Sequence, residues 1–213
     1  MRRLYRRFRD FTMVPETVFV DNMLLCHQVQ HLAGSVVECG VWRGGSIAGM
    51  ASILGPHRQY YLFDSFAGLP PAQPIDGSDA LAWQQNVGSP GYHDNCTALP
   101  ECAQAAMALA RATQVNLIQG WFQDTLPAFV SSEPISLLRL DADWYESTSL
   151  CLENLFPHLA PDGILILDDY GTWEGCTRAV HDYLSRHSRP EHIRKFGSVT
   201  YLRKAAAAPP SHS

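Results

Sequence analysis

The stretch Leu137-Leu-Arg-Leu-Asp-Ala-Asp-Trp-Tyr-Glu-Ser-Thr148 decides the fold. The run from Ile135 to Leu140 has the character of a strand covered on both faces, and it stops on two carboxylates, Asp141 and Asp143. The pattern recurs in Gly163-Ile-Leu-Ile-Leu-Asp-Asp-Tyr170, which closes on Asp168 and Asp169. In an open parallel α/β sheet, ligands bind beyond the carboxyl ends of the strands. Four aspartates at two such ends mark one rim of the sheet as the place for chemistry.

Outward from this pair, further buried strands read at Val36 to Gly40, Tyr60 to Asp64 and Val115 to Gln119. Helical patterns fall between them, at 16–32, 47–54, 101–112, 146–159 and 177–186, with Ser46 expected to cap the second. Residues 193–196 and 199–203, turning at Gly197, read as a closing antiparallel hairpin. This alternation predicts an α/β fold: a Rossmann-like sheet of seven strands, mostly parallel, with an antiparallel C-terminal hairpin and helices on both faces.

The flanks read differently. Residues 1–15 form a basic N-terminal arm, in which 2–11 make a short helix with Leu4, Phe8 and Phe11 at helical spacing. The arm is expected to be solvated or docked on a partner subunit. Residues 16–204 read as one domain, with a Pro-, Gly-, Asn- and Asp-rich lid-like insertion at about 66–100. Residues 205–213 read as a disordered tail.

A chain of 213 residues, 46% hydrophobic and 17% charged, suits one domain with its own core. The net charge of −5 argues against a nucleic-acid partner. No apolar run reaches the length of a membrane span, and the charged start lacks the apolar segment of a secretory signal. The six cysteines show no CxxC pair, so reduced thiols in a cytoplasmic protein are expected rather than a zinc knuckle or a disulfide framework.

Glu38-Cys-Gly-Val-Trp-Arg-Gly-Gly-Ser46 places glycines at 40, 44 and 45, where the chain must turn tightly or let a ligand approach its backbone. It is neither GxGxxG nor a Walker A loop; an acid just ahead of the glycines suits a ligand bearing a positive amine. A purely structural glycine turn is the competing reading. Asp64, ending its strand, suits ribose hydroxyls, or else caps a loop. Together the two elements indicate an adenosine-containing ligand with a cationic tail. In Gly120-Trp-Phe-Gln-Asp-Thr-Leu-Pro127, Trp121 and Phe122 can flank an adenine with Gln119 or Asp124 at its edge, or simply fill space at a helix start. Asp141, Asp168 and Asp169 offer hard oxygens without histidine or cysteine, which favours Mg²⁺, Mn²⁺ or Ca²⁺ over zinc. Asp143 then faces the substrate as a general base. Unrelated surface aspartates are the alternative.

These pieces, with Asp64-Ser-Phe-Ala-Gly-Leu-Pro70 and Trp173-Glu-Gly175 added, resemble the macrocin O-methyltransferase (TylF-like) family from about residue 15 to 203. The resemblance implies a class I S-adenosylmethionine-dependent O-methyltransferase that uses Mg²⁺ (or Mn²⁺) and methylates a hydroxyl of a small molecule, notably a deoxysugar on an antibiotic. Carried over, Glu38, Gly40 and Ser46 contact the methionine end of the cofactor, with Trp42 in the same loop. Asp64 and Ser65 take the ribose, and Gly120, Trp121 and Phe122 the adenine neighbourhood. Asp141, Asp168 and Asp169 become metal ligands, and Asp143 beside Asp141 the catalytic base. The chain is shorter at its N-terminus than the antibiotic enzymes, and 71–100 is its own, so the acceptor pocket does not transfer. A catechol-type O-methyltransferase and a non-catalytic nucleotide-binding module are the rivals. An NAD-dependent epimerase is disfavoured by the missing GxGxxG and Tyr-x-x-x-Lys. No membrane or nucleic-acid partner is expected; a homo-oligomer is left open.

Overall fold

In the computed structural model, which describes residues 1–206, the chain opens with helices α1 (Arg2–Phe8) and α2 (Glu16–Gln28). It continues through β1 (Ser35–Cys39), α3 (Gly45–Leu54), β2 (Gln59–Asp64), α4 (Ser78–Gln85), α5 (Pro100–Leu109) and β3 (Gln114–Gln119). The second half runs α6 (Phe122–Thr125), β4 (Ile135–Leu140), α7 (Tyr145–Leu155), β5 (Leu159–Leu167), α8 (Glu174–Arg186), β6 (Arg194–Phe196) and β7 (Val199–Arg203). The strands form one sheet in the order β3-β2-β1-β4-β5-β7-β6. The first five are parallel; β7 runs antiparallel to β5, and β6 to β7. This is the sheet expected from the alternation of strands and helices.

β1 and β4 are buried at every position, as central strands between two helical layers must be. Their successive side chains feed two cores. Val36 and Leu137 join Phe19, Met23, Ile47 and Met50 on one face. Val37 and Leu138 join Leu152, Leu155 and Val180 on the other. The register pairs Cys39 with Phe63 and with Leu140, and Leu140 with Leu167. The residues that follow, Gly40, Asp64, Asp141 and Asp168, therefore emerge side by side on one rim.

Four local expectations change. The basic arm packs one face on its own chain: Phe8 is fully buried against the α2–α3 core, and Tyr5 meets Phe19 edge-on at 5.6 Å. The apolar stripe of α1 finds an apolar face on its own chain and leaves the arginines outside. Ser46 does not cap α3; that place belongs to Gly44, whose φ of +83° leaves Ser46 inside the first turn. The strand after α7 begins at Leu159 rather than Ile164, running through Pro161 and Gly163. The 66–100 segment carries α4, a 3-10 turn at 74–76 and a kinked stretch at 90–96 in which His93, Asp94 and Asn95 take left-handed backbone angles.

Of the expected tail, Ala205 donates its backbone N–H to Glu191 Oε1 at 3.2 Å; residues 207–213 lie outside the described residues. Among the described residues no helix is long and apolar enough to cross a membrane.

Candidate active site

The carboxyl ends of the strands are tied together by their own backbone. Gly40 N–H bonds Phe63 O, Asp141 N–H bonds Cys39 O, Asp168 N–H bonds Leu140 O and Gly120 N–H bonds Asp64 O, each at 2.9 Å. Gly40 is required here: its φ is +80°, and a Cβ would lie 1.7 Å from the Asp141 carbonyl oxygen. A cavity of about 630 Å³ opens on this rim. Gly40, Trp42, Asp64, Ser65, Gly120, Trp121 and Phe122 line one part of it, and Asp141 and Asp143 another.

Asp64 is the keystone of the first part. Its Oδ2 accepts from Val41 N and Trp42 N, and its Oδ1 from Phe66 N, all at 2.7 Å. Burial pushes its carboxyl up, and these three donors pull it back. Asp64 thus shapes the glycine loop and also lines the cavity. Ser65 Oγ donates to Gly68 O at 3.0 Å and accepts from Ala67 N at 3.1 Å, closing the turn at the cavity edge. Trp42 holds a positive φ of 49°, fixed by its bond to Asp64 and by its indole N–H on Thr97 O at 3.2 Å.

Glu38 and Ser46 do not reach this wall. Glu38 is fully buried on β1, and its Oε1 accepts from Arg139 Nη1 at 2.8 Å. Arg139, absent from the candidate residues, organises what lies beneath the rim. The same Nη1 bonds Asp141 Oδ2 at 2.9 Å and Nη2 bonds Asp168 Oδ1 at 2.5 Å. An arginine inside an apolar run is a visible signal, because a charge buried there must find acids. The pair with Glu38 is uneven. Burial pushes Glu38 up to about 8, whereas Arg139 is held firmly charged, chiefly by Asp168 and Asp141 despite its own burial. The neutralising charge for Arg139 thus comes mainly from the rim.

Of the four rim aspartates, Asp141, Asp143 and Asp169 bring one oxygen each within 4.8 Å of one another. Asp168 is turned to Arg139. Burial and then Asp168 raise Asp141 to about 7; burial and then Asp141 raise Asp143 to about 8. Asp169 is also pushed well up, by burial and then by Asp143. Packed carboxylates that prefer protons to ionisation, all with hard oxygen donors, fit a divalent cation.

Asp143 is placed from several sides. Its φ is +56°; its N–H bonds Asp169 Oδ2 at 2.9 Å, and its Oδ1 accepts from Trp173 Nε1 at 3.0 Å. Trp173 packs edge-on against Trp144 and Trp83, and Trp83 meets Tyr92 at 5.3 Å. Met13 and Asp76 also line the cavity. Neither belongs to a recognisable pattern in the sequence, since only the packing of α1 and of the insertion brings them here.

Over residues 11–204 the sequence matches the family described as Macrocin-O-methyltransferase (TylF). The chain belongs to the macrocin O-methyltransferase family. Among its curated relatives in that family is the 8-demethyl-8-(2,3-dimethoxy-alpha-L-rhamnosyl)-tetracenomycin-C 4'-O-methyltransferase of Streptomyces olivaceus, 35% identical over 94% of this chain and 80% of its own. The mycinamicin III 3''-O-methyltransferase of Micromonospora griseorubida is 32% identical over 75% of this chain, which spans 64% of that relative. The solved structure of the O-methyltransferase NovP superposes with a TM-score of 0.74 at 26% identity, covering 92% of this chain and 83% of its own. The expected methyltransferase sheet and family are thereby both found.

Proposed function

We propose that this O-methyltransferase moves the methyl group of S-adenosylmethionine to a hydroxyl of a sugar or glycosylated natural product, assisted by Mg²⁺ or Mn²⁺. The observation that carries the reading is the convergence of Asp141, Asp143 and Asp169 beside a cavity walled by the ends of β1, β2 and β3. The sugar acceptor rests on a relative whose name specifies a rhamnosyl group.

In this reading the Gly40–Gly44 turn and Trp42 meet the methionine end, Asp64 and Ser65 the ribose, and Gly120, Trp121 and Phe122 the adenine. Glu38 acts on the cofactor loop from beneath, through Arg139 and the strand end. Asp141 and Asp169 would hold the cation, while Asp168 lies outside that cluster with its Oδ1 on Arg139 Nη2. The sulfonium supplies an activated methyl, and the cation lowers the acceptor hydroxyl's pKa as it does that of bound water. Asp143, aimed by Trp173 and by its own bonded N–H, removes the hydroxyl proton. The remaining work is alignment of the acceptor oxygen with the methyl group.

The test pairs binding with turnover. S-adenosylhomocysteine is expected to raise the melting temperature where NAD⁺ does not. Labelled methyl should pass to rhamnosylated or macrolide-sugar acceptors in preference to catechol, and EDTA should stop it. Preference for catechol would move the enzyme to the aromatic-diol class; indifference to EDTA would remove the cation.

A further inference from the structure

The insertion between β2 and α5 covers the cavity with Leu69, Pro70 and Gln73, yet its firmest bonds go elsewhere. Asp76, 2% exposed, accepts from Tyr145 N through Oδ1 and from Gln73 N through Oδ2, both at 2.7 Å. Tyr145 opens α7, so this carboxylate supplies in trans the capping oxygen that Trp144 lacks, at the end of the helix that favours negative charge. The preceding residue is held as well: Trp144 Nε1 donates to Pro70 O at 2.9 Å. The start of α8 closes on the same point, because a Cβ on Gly175 would lie 2.3 Å from Asp76 Oδ1. Between these anchors and Asp141 sits Asp143 in its left-handed conformation, a backbone state that persists only where its surroundings over-determine it.

We propose that Asp76 is a positioning residue for Asp143: the covering segment and the loop 141–145 are one mechanical unit, and Asp76 is the joint. The inference rests on the reading of the acidic rim given above. The insertion therefore sets the aim of the base as well as the shape of the pocket. A segment whose only task is to cover the cavity has no need to bond Tyr145 N–H and Trp144 Nε1 behind it.

The test uses the full chain with S-adenosylhomocysteine added, amide hydrogen exchange read over 141–148, and Mn²⁺ affinity by calorimetry. Asp76→Ala is expected to speed exchange in 141–148 while β1 and α3 exchange as in the parent. It should also weaken Mn²⁺ about tenfold, the equivalent of one hydrogen bond to a charged group. Asp76→Asn, which keeps an oxygen for Tyr145 N–H, should recover most of both. Unchanged exchange and unchanged Mn²⁺ affinity in Asp76→Ala would overturn the proposal, as would faster exchange spread evenly over the chain. If Asp76→Ala does not fold, Trp144→Phe carries the test, since it removes the Pro70 bond while keeping one ring of the indole in place; parent-like exchange at 141–148 would then overturn it. Asp141→Asn run in parallel separates the two readings. It keeps an oxygen for Arg139 Nη1 and should weaken Mn²⁺ with exchange over 143–148 preserved; unchanged Mn²⁺ affinity there defeats the acidic-rim reading without touching the exchange result.

Discussion

Arg139 Nη1 lies 2.8 Å from Glu38 Oε1, and both side chains are 1% exposed. The guanidinium also serves Asp141 and Asp168, so one buried cation answers three acids from β1 and from the ends of β4 and β5. Removing it strands them. Arg139→Met is expected to destabilise the fold by about 3–5 kcal/mol, the usual cost of orphaning buried charge. Glu38→Gln should be the milder change, because Arg139 keeps both aspartates. Urea unfolding of the two variants checks this; parent-like stability in the Arg139→Met variant would refute it.

The rim carboxylates make the metal-free protein sensitive to pH in an unusual sense. Asp141 is raised to about 7 and Asp143 to about 8, whereas unfolded aspartates titrate near ~3.9. Between those limits the folded state binds more protons than the unfolded one. Stability from these groups is therefore present at low pH and lost as pH rises through that window. Mg²⁺ competes with the protons, so its stabilising effect should be greater at pH 8 than at pH 5.5. Thermal melts at the two pH values with and without Mg²⁺ measure this, and equal shifts at both would count against a cation on these acids.

Phe8 anchors the N-terminal helix from a fully buried position. Truncating a buried phenylalanine leaves a cavity as well as lost transfer energy, so Phe8→Ala should cost about 3–5 kcal/mol. A change below about 1 kcal/mol in denaturant unfolding, a loss typical of surface sites, would mean that α1 is detached in solution.

Gly40→Ala should abolish S-adenosylhomocysteine binding, because the new methyl group collides with backbone, the Asp141 carbonyl, rather than with a side chain that can turn away. Isothermal titration of the purified variant checks it. Retained affinity would show that β1 and β4 separate more easily at the rim than their paired backbones indicate.

The parts legible in the sequence are those with one dominant cause. β1 and β4 are central and doubly covered, so they read as apolar runs, and the acids after β4 and β5 mark the rim. The start of β5 is hidden because Pro161 and Gly163 speak against a strand, although the preceding residue Ala160 is only half-buried beside the sheet. Ser46 suggests a cap by residue type, while the turn demands a left-handed residue and takes Gly44 instead. The apolar spacing of Leu4, Phe8 and Phe11 is visible, but the arginines between them give no sign that Phe8 is fully buried. Asp168 illustrates the deeper limit: its place beside Asp169 is plain in the chain, but which acid faces the rim is decided by Arg139 on the neighbouring strand. The bond from Trp173 to Asp143 and that from Asp76 to Tyr145 join residues far apart in sequence, and no local pattern announces them.

The joint at Asp76 has a consequence for how such an enzyme can change its acceptor. The segment that roofs the cavity is the natural region to exchange between relatives or to randomise in a library. Here a graft that replaces 66–96 wholesale removes the carboxylate beneath α7 and the Pro70 carbonyl behind Trp144. New specificity would then arrive with Asp143 misaimed, and screens on turnover alone would discard pockets that bind well. Libraries that vary Leu69, Pro71 and Gln73 while retaining Pro70 and Asp76 should yield active catalysts at a higher frequency.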